Sequence, residues 1–153
     1  MSRARASIDL PEVRISQVEA LWYDHTRWQG FVDGLHHVEL VQGAYPESGA
    51  RVVWASHQGG RGRVIERVLS YEPRVGQTLA VEDEKTTGTQ RVAFSALGEG
   101  VRIELELDYA IRSPTLTTAL SDLFFIRRAQ TDSLRRTLLR FARELHDELD
   151  PPL

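Results

Sequence analysis

The stretch Val101–Ile111 restricts the fold more than any other part of the chain. Val101, Ile103, Leu105, Leu107, Tyr109 and Ile111 fall on one side, and Arg102, Glu104, Glu106 and Asp108 on the other. Side chains alternate along a strand with a period of two. Strict alternation across 101–111 therefore predicts a sheet with one buried and one wet face, which is an antiparallel arrangement. Shorter alternating runs lie upstream, roughly at 36–42, 50–57, 62–71, 77–84 and 89–96. The breaks between them carry turn residues: Gly43 to Gly49 with Pro46, Gly59-Gly60-Arg61, Glu72 to Gly76, Thr86-Thr87-Gly88 and Gly98-Glu99-Gly100. Short connections between sequential strands predict a meander, preceded by one further strand at about Arg3 to Leu10.

The period changes at the end of the chain. Leu116, Leu120, Phe124, Leu134, Leu138, Phe141, Leu145 and Leu149 form one stripe, mostly at spacings of three and four. This predicts a long helix over 115–149, started by Ser113 or Thr115 and ended by Asp150-Pro151-Pro152, with a bend at Arg127 to Ser133. Between the first strand and the meander, Pro11 to Gly34 predicts one or two short helices. Asp9 is the expected cap, Pro11 an early helical residue, and Val18, Leu21 and Trp22 share a face.

A chain of 153 residues corresponds to one domain at roughly 150 residues each, so 1–153 is expected to be a single unit. Cysteine is absent, which excludes disulfides, thiolate-held metal and a thiol nucleophile. Net charge is −3, so nothing asks for nucleic acid. No run of apolar residues is long enough to span a bilayer, and Met1 to Arg5 carries no apolar signal core, so a cytoplasmic protein is expected. Of the 19 basic residues only Lys85 is lysine. His25, His36, His37, His57 and His146 are scattered without metal-ligand spacing, so no metal is expected. Gly59 to Arg63 lacks the lysine and following helix of a phosphate loop, and no cofactor is expected. The homodimeric state is left open.

Several segments resemble a known family. Ile8-Asp9-Leu10-Pro11 is similar to the end of its first strand. Leu21-Trp22-Tyr23-Asp24-His25-Thr26-Arg27-Trp28, then Phe31-Val32-Asp33-Gly34, resembles its Val-Trp…Leu-x-Asp-x-x-Arg-Trp element. Gly62 to Val68 with Tyr71-Glu72-Pro73 resembles its fourth strand and Pro-turn. Together with the element order, these resemble the START-like (SRPBCC) superfamily, closest to its bacterial polyketide cyclase/dehydrase-like group. The resemblance implies an α+β helix-grip fold: a curved antiparallel sheet of about seven strands around a long C-terminal helix, with two short helices after the first strand. It also implies a cavity that binds an apolar small molecule. Packing physics agrees, because a curved sheet and a helix leave a gap unless very large side chains fill it.

Register decides which polar groups face that gap. Read as a three-residue loop, Gly59-Gly60-Arg61 sets Ser56 opposite Val64 and Trp54 opposite Glu66. Val64, Glu66 and Val68 then point inward, and Arg63 and Arg67 outward. The inward set buries one charge where the other register buries two. Glu66 becomes a carboxyl in an apolar cleft, a candidate general acid/base or ligand anchor, unless an arginine pairs with it. Tyr109, on the apolar face of the last strand, is the second catalytic candidate, since its hydroxyl needs a partner. Trp28, Phe31 and Trp54 are candidate walls for a flat ligand, or plain core. Ser56, Gln90 and Phe94 share the inward parity, and Leu120 and Phe124 would close the helix side. Three functions follow: a binding module for a polyketide, lipid or aromatic, serving as carrier or sensor; a cyclase/dehydratase-type enzyme using Glu66 or Tyr109; or a co-chaperone-like interaction domain with a collapsed cavity.

Overall fold

The computed structural model describes residues 2–112 and 120–150. The chain runs β1 (Ser2–Leu10), α1 (Ile15–Trp22), a 3-10 turn (His25–Gly30), β2 (Leu35–Gln42), β3 (Arg51–Ser56), β4 (Arg63–Glu72), β5 (Gly76–Glu82), β6 (Thr86–Leu97), β7 (Gly100–Ile111) and α2 (Leu120–Leu149). The strands form one antiparallel sheet in the order β1-β7-β6-β5-β4-β3-β2. The two periodicities predict this antiparallel sheet and long helix, and the arrangement is the α+β helix-grip fold that the resemblance implies.

The apolar face of β7 is buried as the alternation requires: Val101, Ile103, Leu105, Leu107 and Tyr109 join the core, and Glu104 is exposed. On the wet face Arg3 bonds Asp108 at 2.7 Å and Arg102 bonds Asp9 at 2.7 Å across β1 and β7. Asp9 is thus a strand residue paired with Arg102. The α1 cap lies further on, at Arg14, whose N–H donates to the Gln17 side chain. Pro11 stands in the turn between them. The second helix is a 3-10 turn, and Asp24 caps it by accepting from the Thr26 N–H at 3.1 Å.

The β3–β4 hairpin differs from expectation by two residues. Trp54 faces Val64, and Val52 faces Glu66. The loop is longer than three residues, because the Ser56 hydroxyl oxygen accepts the Gly62 N–H at 2.8 Å and Ser56 N–H donates to the Gly62 carbonyl. A shift of two keeps side-chain parity, so Glu66 still faces inward while Arg63 and Arg67 are exposed.

Helix α2 buries Leu134, Leu138, Phe141 and Leu145. It departs from the predicted stripe at both ends, since Phe124 and Leu149 are exposed. It runs unbroken from Leu120 to Leu149. The proposed start at Ser113 or Thr115, Leu116 and the side chain of Leu120 lie outside the described residues, as do Pro151 and Pro152. The helix packs against β1, α1 and the 3-10 turn, and strands β3 to β6 make no comparable approach. Aromatic groups bridge most of the distance: Phe141 meets Trp22 at 5.2 Å and Phe31 at 5.1 Å between ring centroids.

Candidate functional site

A hollow remains where those rings stop. Its walls are Trp22, Trp28, Phe31, Tyr45 and Trp54, with Leu79, Val92 and Leu105 of the sheet and Leu134 of α2. Its polar groups are Glu66, Gln77, Gln90, Arg61, Asp33, Ser133 and Thr137. The cavity volume is about 60 Å³. At about 30 Å³ per water that is room for about two waters, less than the roughly 150 Å³ of an apolar cavity that takes benzene. The gap expected between sheet and helix therefore exists, but three tryptophans, a tyrosine and a phenylalanine fill most of it.

Glu66 lies at the centre of the sheet, between Val52 of β3 and Val81 of β5. It is 8% exposed and has no hydrogen bond or ion pair among the described residues. Burial pushes its carboxyl above the ordinary range, and the Trp54 indole and the Arg61 charge offset part of the rise. The Trp54 N–H is close enough to act on that carboxylate, yet it reaches no hydrogen-bonding geometry and stays without a partner, fully buried. The two stand side by side without completing a bond, and the enclosed indole N–H carries a desolvation cost.

The neighbouring groups are engaged. Arg61 Nε donates to Asp83 Oδ2 at 2.8 Å, and its guanidinium lies 5.5 Å from the Trp54 ring centroid. Asp83, buried at the start of the β5–β6 turn, also accepts the Lys85 and Thr86 N–H groups at 2.8 Å each. Burial alone would raise its carboxyl, but the Arg61 bond and these amides outweigh that and hold it below the usual range. Gln77 donates to the Pro46 carbonyl at 3.1 Å and accepts the Tyr45 hydroxyl at 3.4 Å. Burial, and then the nearby Glu66 charge, push the Tyr45 hydroxyl well above its ordinary value.

The rim is built around Asp33, which follows the 3-10 turn. Its carboxylate accepts Arg136 through two bonds of 3.0 Å, Arg140 at 3.2 Å and the Ser133 hydroxyl at 2.7 Å. Its own N–H donates to Thr137 Oγ1 at 2.9 Å. Burial pushes this carboxyl up, and the Arg136 and Ser133 bonds more than reverse it, leaving it below the usual range. Asp33, Arg61 and Ser133 also border a wider groove between the Ser56–Arg61 loop and Ile126–Ser133 of α2. They form the neck between the two spaces.

Of the residues read from sequence, Trp28, Phe31, Trp54, Glu66 and Gln90 meet on this hollow. The others lie elsewhere. Ser56 serves the β3–β4 loop, because a longer loop draws its hydroxyl to Gly62. Phe94 packs under Tyr23 and Trp22 as core. Tyr109 is buried away from the hollow, its hydroxyl unpartnered among the described residues. Phe124 points to solvent, and the helix wall comes from Ser133, Leu134 and Thr137, further along α2. The Leu120 side chain lies outside the described residues.

Sequence reasoning missed Trp22, Asp33, Tyr45, Arg61, Gln77 and Thr137 as lining groups. Gln77 was accessible by parity, since it stands an even number of residues before Leu79 and Val81 on the same face. Asp33 and Arg136 are 103 residues apart and leave no local signal. Among the described residues no three His, Asp or Glu side chains gather as metal ligands, and no helix is long and apolar enough to cross a membrane.

Comparison with known proteins gives one family and many solved structures of the same fold. The model of the family described as polyketide cyclase / dehydrase and lipid transport matches residues 1–146. No curated protein matches the chain by sequence. Among solved structures, an aromatase/cyclase from Streptomyces sp. R1128 superposes with a TM-score of 0.76 at 11% identity, covering 98% of this chain and 96% of that one. A START superfamily protein from Mycobacterium smegmatis gives 0.75 at 10% identity, covering 95% and 98%. A protein from Thermus thermophilus gives 0.75 at 16% identity, covering 96% and 99%. At these identities the likeness is one of fold.

Proposed function

Because the chain belongs to the polyketide cyclase / dehydrase and lipid transport family, we propose that it binds a small apolar molecule in the hollow between sheet and helix. The observation that carries this reading is the buried Trp54 N–H without a partner, beside the Glu66 carboxyl in a hollow walled by aromatic rings. A ligand with an apolar ring and one polar group would satisfy both and replace enclosed water. The hollow as it stands is smaller than one ring; a ring, and still more a polyketide or lipid, requires Trp22 or Trp28 to move or the neck at Arg61 to part.

A catalytic reading has one observation in its favour. Glu66 and Tyr45 face the same space, and the Glu66 charge raises the proton affinity of the Tyr45 hydroxyl. In that reading Glu66 moves a proton on a bound chain, while Tyr109 takes no part. The collapsed-cavity reading is disfavoured by the space left around an unpaired carboxyl, although the exposed pair Phe124 and Phe125 fits an interaction domain.

The test is a melting-temperature screen against phenols and other single-ring aromatics, polyketide fragments, flavonoids and fatty acids. A ligand at about 100 times its dissociation constant stabilises by roughly 2.7 kcal/mol. Single-ring compounds are expected to lead, with Trp54→Ala weakening them. Absence of any shift across all four classes, with the protein folded, refutes the reading.

A further inference from the structure

We infer that the hollow selects a small organic cation, a primary or quaternary ammonium. This rests on the reading of the hollow as a ligand site and names the charge of the ligand. Three charged groups border the space. Asp33 is matched by Arg136 and Arg140, and Arg61 by Asp83. Glu66 alone of the three has no ion pair among the described residues, and it sits among aromatic rings.

Aromatic faces are electron-rich and attract cations. The wall already holds one, since the Arg61 guanidinium lies over Trp54. Trp22, Trp28 and Tyr45 have no such partner among the described residues. An ammonium entering beside Glu66 would supply the missing counter-charge and lie among these rings. Burial disfavours the ionised carboxyl in the empty hollow, and a bound ammonium removes that disadvantage. An anionic ligand meets the opposite situation. Its charge would stand next to Glu66, and the one cation on the wall is already bonded to Asp83.

The test uses four compounds of one shape: benzylamine, benzyltrimethylammonium, benzyl alcohol and benzoate. Each is titrated against the wild type and Glu66→Gln, with tryptophan fluorescence and calorimetry as readouts and circular dichroism as the check on folding. At least one cation is expected to bind roughly tenfold or more tightly than benzyl alcohol. Benzoate is expected not to bind. Glu66→Gln should erase the preference of either cation over benzyl alcohol, because the group that distinguishes them is gone while the ring contacts persist. Benzyl alcohol binding as well as either cation, benzoate binding best, or a preference that survives in Glu66→Gln overturns the cation inference and leaves the ligand site standing. Binding of none of the four overturns the cation inference, and the wider melting-temperature screen then decides the ligand site. If Glu66→Gln does not fold, the wild-type order alone decides.

Discussion

Replacing Glu66 by glutamine is expected to stabilise the free protein, and to do so only above acidic pH. The substitution keeps the shape and removes the charge. In the folded chain the carboxyl has no ion pair among the described residues, and burial raises its proton affinity more than the Trp54 N–H and the Arg61 charge lower it. The unfolded chain releases that proton near the ordinary carboxyl value of about 4.3. Between that pH and the higher folded value, the folded state holds one proton more than the unfolded state. Stability contributed by this site is therefore complete below about pH 4 and declines as pH rises through the interval, then levels off above the folded value. Glutamine does not titrate, so the advantage of Glu66→Gln should be near zero at pH 4 and largest at pH 8. A buried charged group without a partner costs about 1–3 kcal/mol or more. The nearby Arg61 charge and Trp54 N–H reduce this to about 1–2 kcal/mol. For a chain of this size each kcal/mol moves the melting temperature by about 2–4 °C, so a gain of about 2–8 °C is expected at pH 8. Urea and thermal unfolding of both proteins from pH 4 to 8 measure it. Carboxyls such as Asp33 titrate alike in both proteins and cancel in the difference. A pH-independent difference, or a less stable variant at pH 8, refutes the reasoning.

Three further outcomes follow from the same geometry. Asp33→Asn should lower stability at neutral pH by about 1–3 kcal/mol, since its arginine partners are half exposed. Its carboxyl is held low, so that contribution is present above about pH 4 and fades as pH falls through the folded value; urea midpoints at pH 7 and pH 3 should show the loss shrinking. Phe141→Ala should cost about 3–5 kcal/mol, because it removes a fully buried ring packed on Trp22 and Phe31; an unchanged urea midpoint would contradict the packing described. Trp54→Ala should weaken a bound ligand more than Arg67→Ala, whose side chain faces solvent, and equal effects in a titration would contradict the strand parity.

The sheet and the long helix were legible because their periodicities are regular over ten or more residues. Parity of the inward face was legible for a related reason: burying Glu66 alone costs less than burying Arg63 and Arg67. The register error left parity intact, since a shift of two returns every side chain to its own face. What the sequence could not reveal was the set of long-range polar partners. Asp83 holding Arg61, and Asp33 holding Arg136, depend on loops brought together only by the finished fold. Phe124 misled because it continues the helical stripe while standing beyond the part of α2 that covers the sheet. The size of the hollow was equally hidden, because it depends on how five aromatic rings share one space.

The bonds around Asp33 have a consequence for anyone who wants to redesign this protein. The residues that border the opening also fasten the terminal helix to the body, so a library diversified at Asp33, Ser133 and Thr137 would discard foldable clones along with the closed lip. Wider specificity is better sought by trimming Trp28 from within. Its ring occupies space a bulkier guest would need and takes no part in fastening that lip, whereas Trp22 also packs on Phe141 of α2.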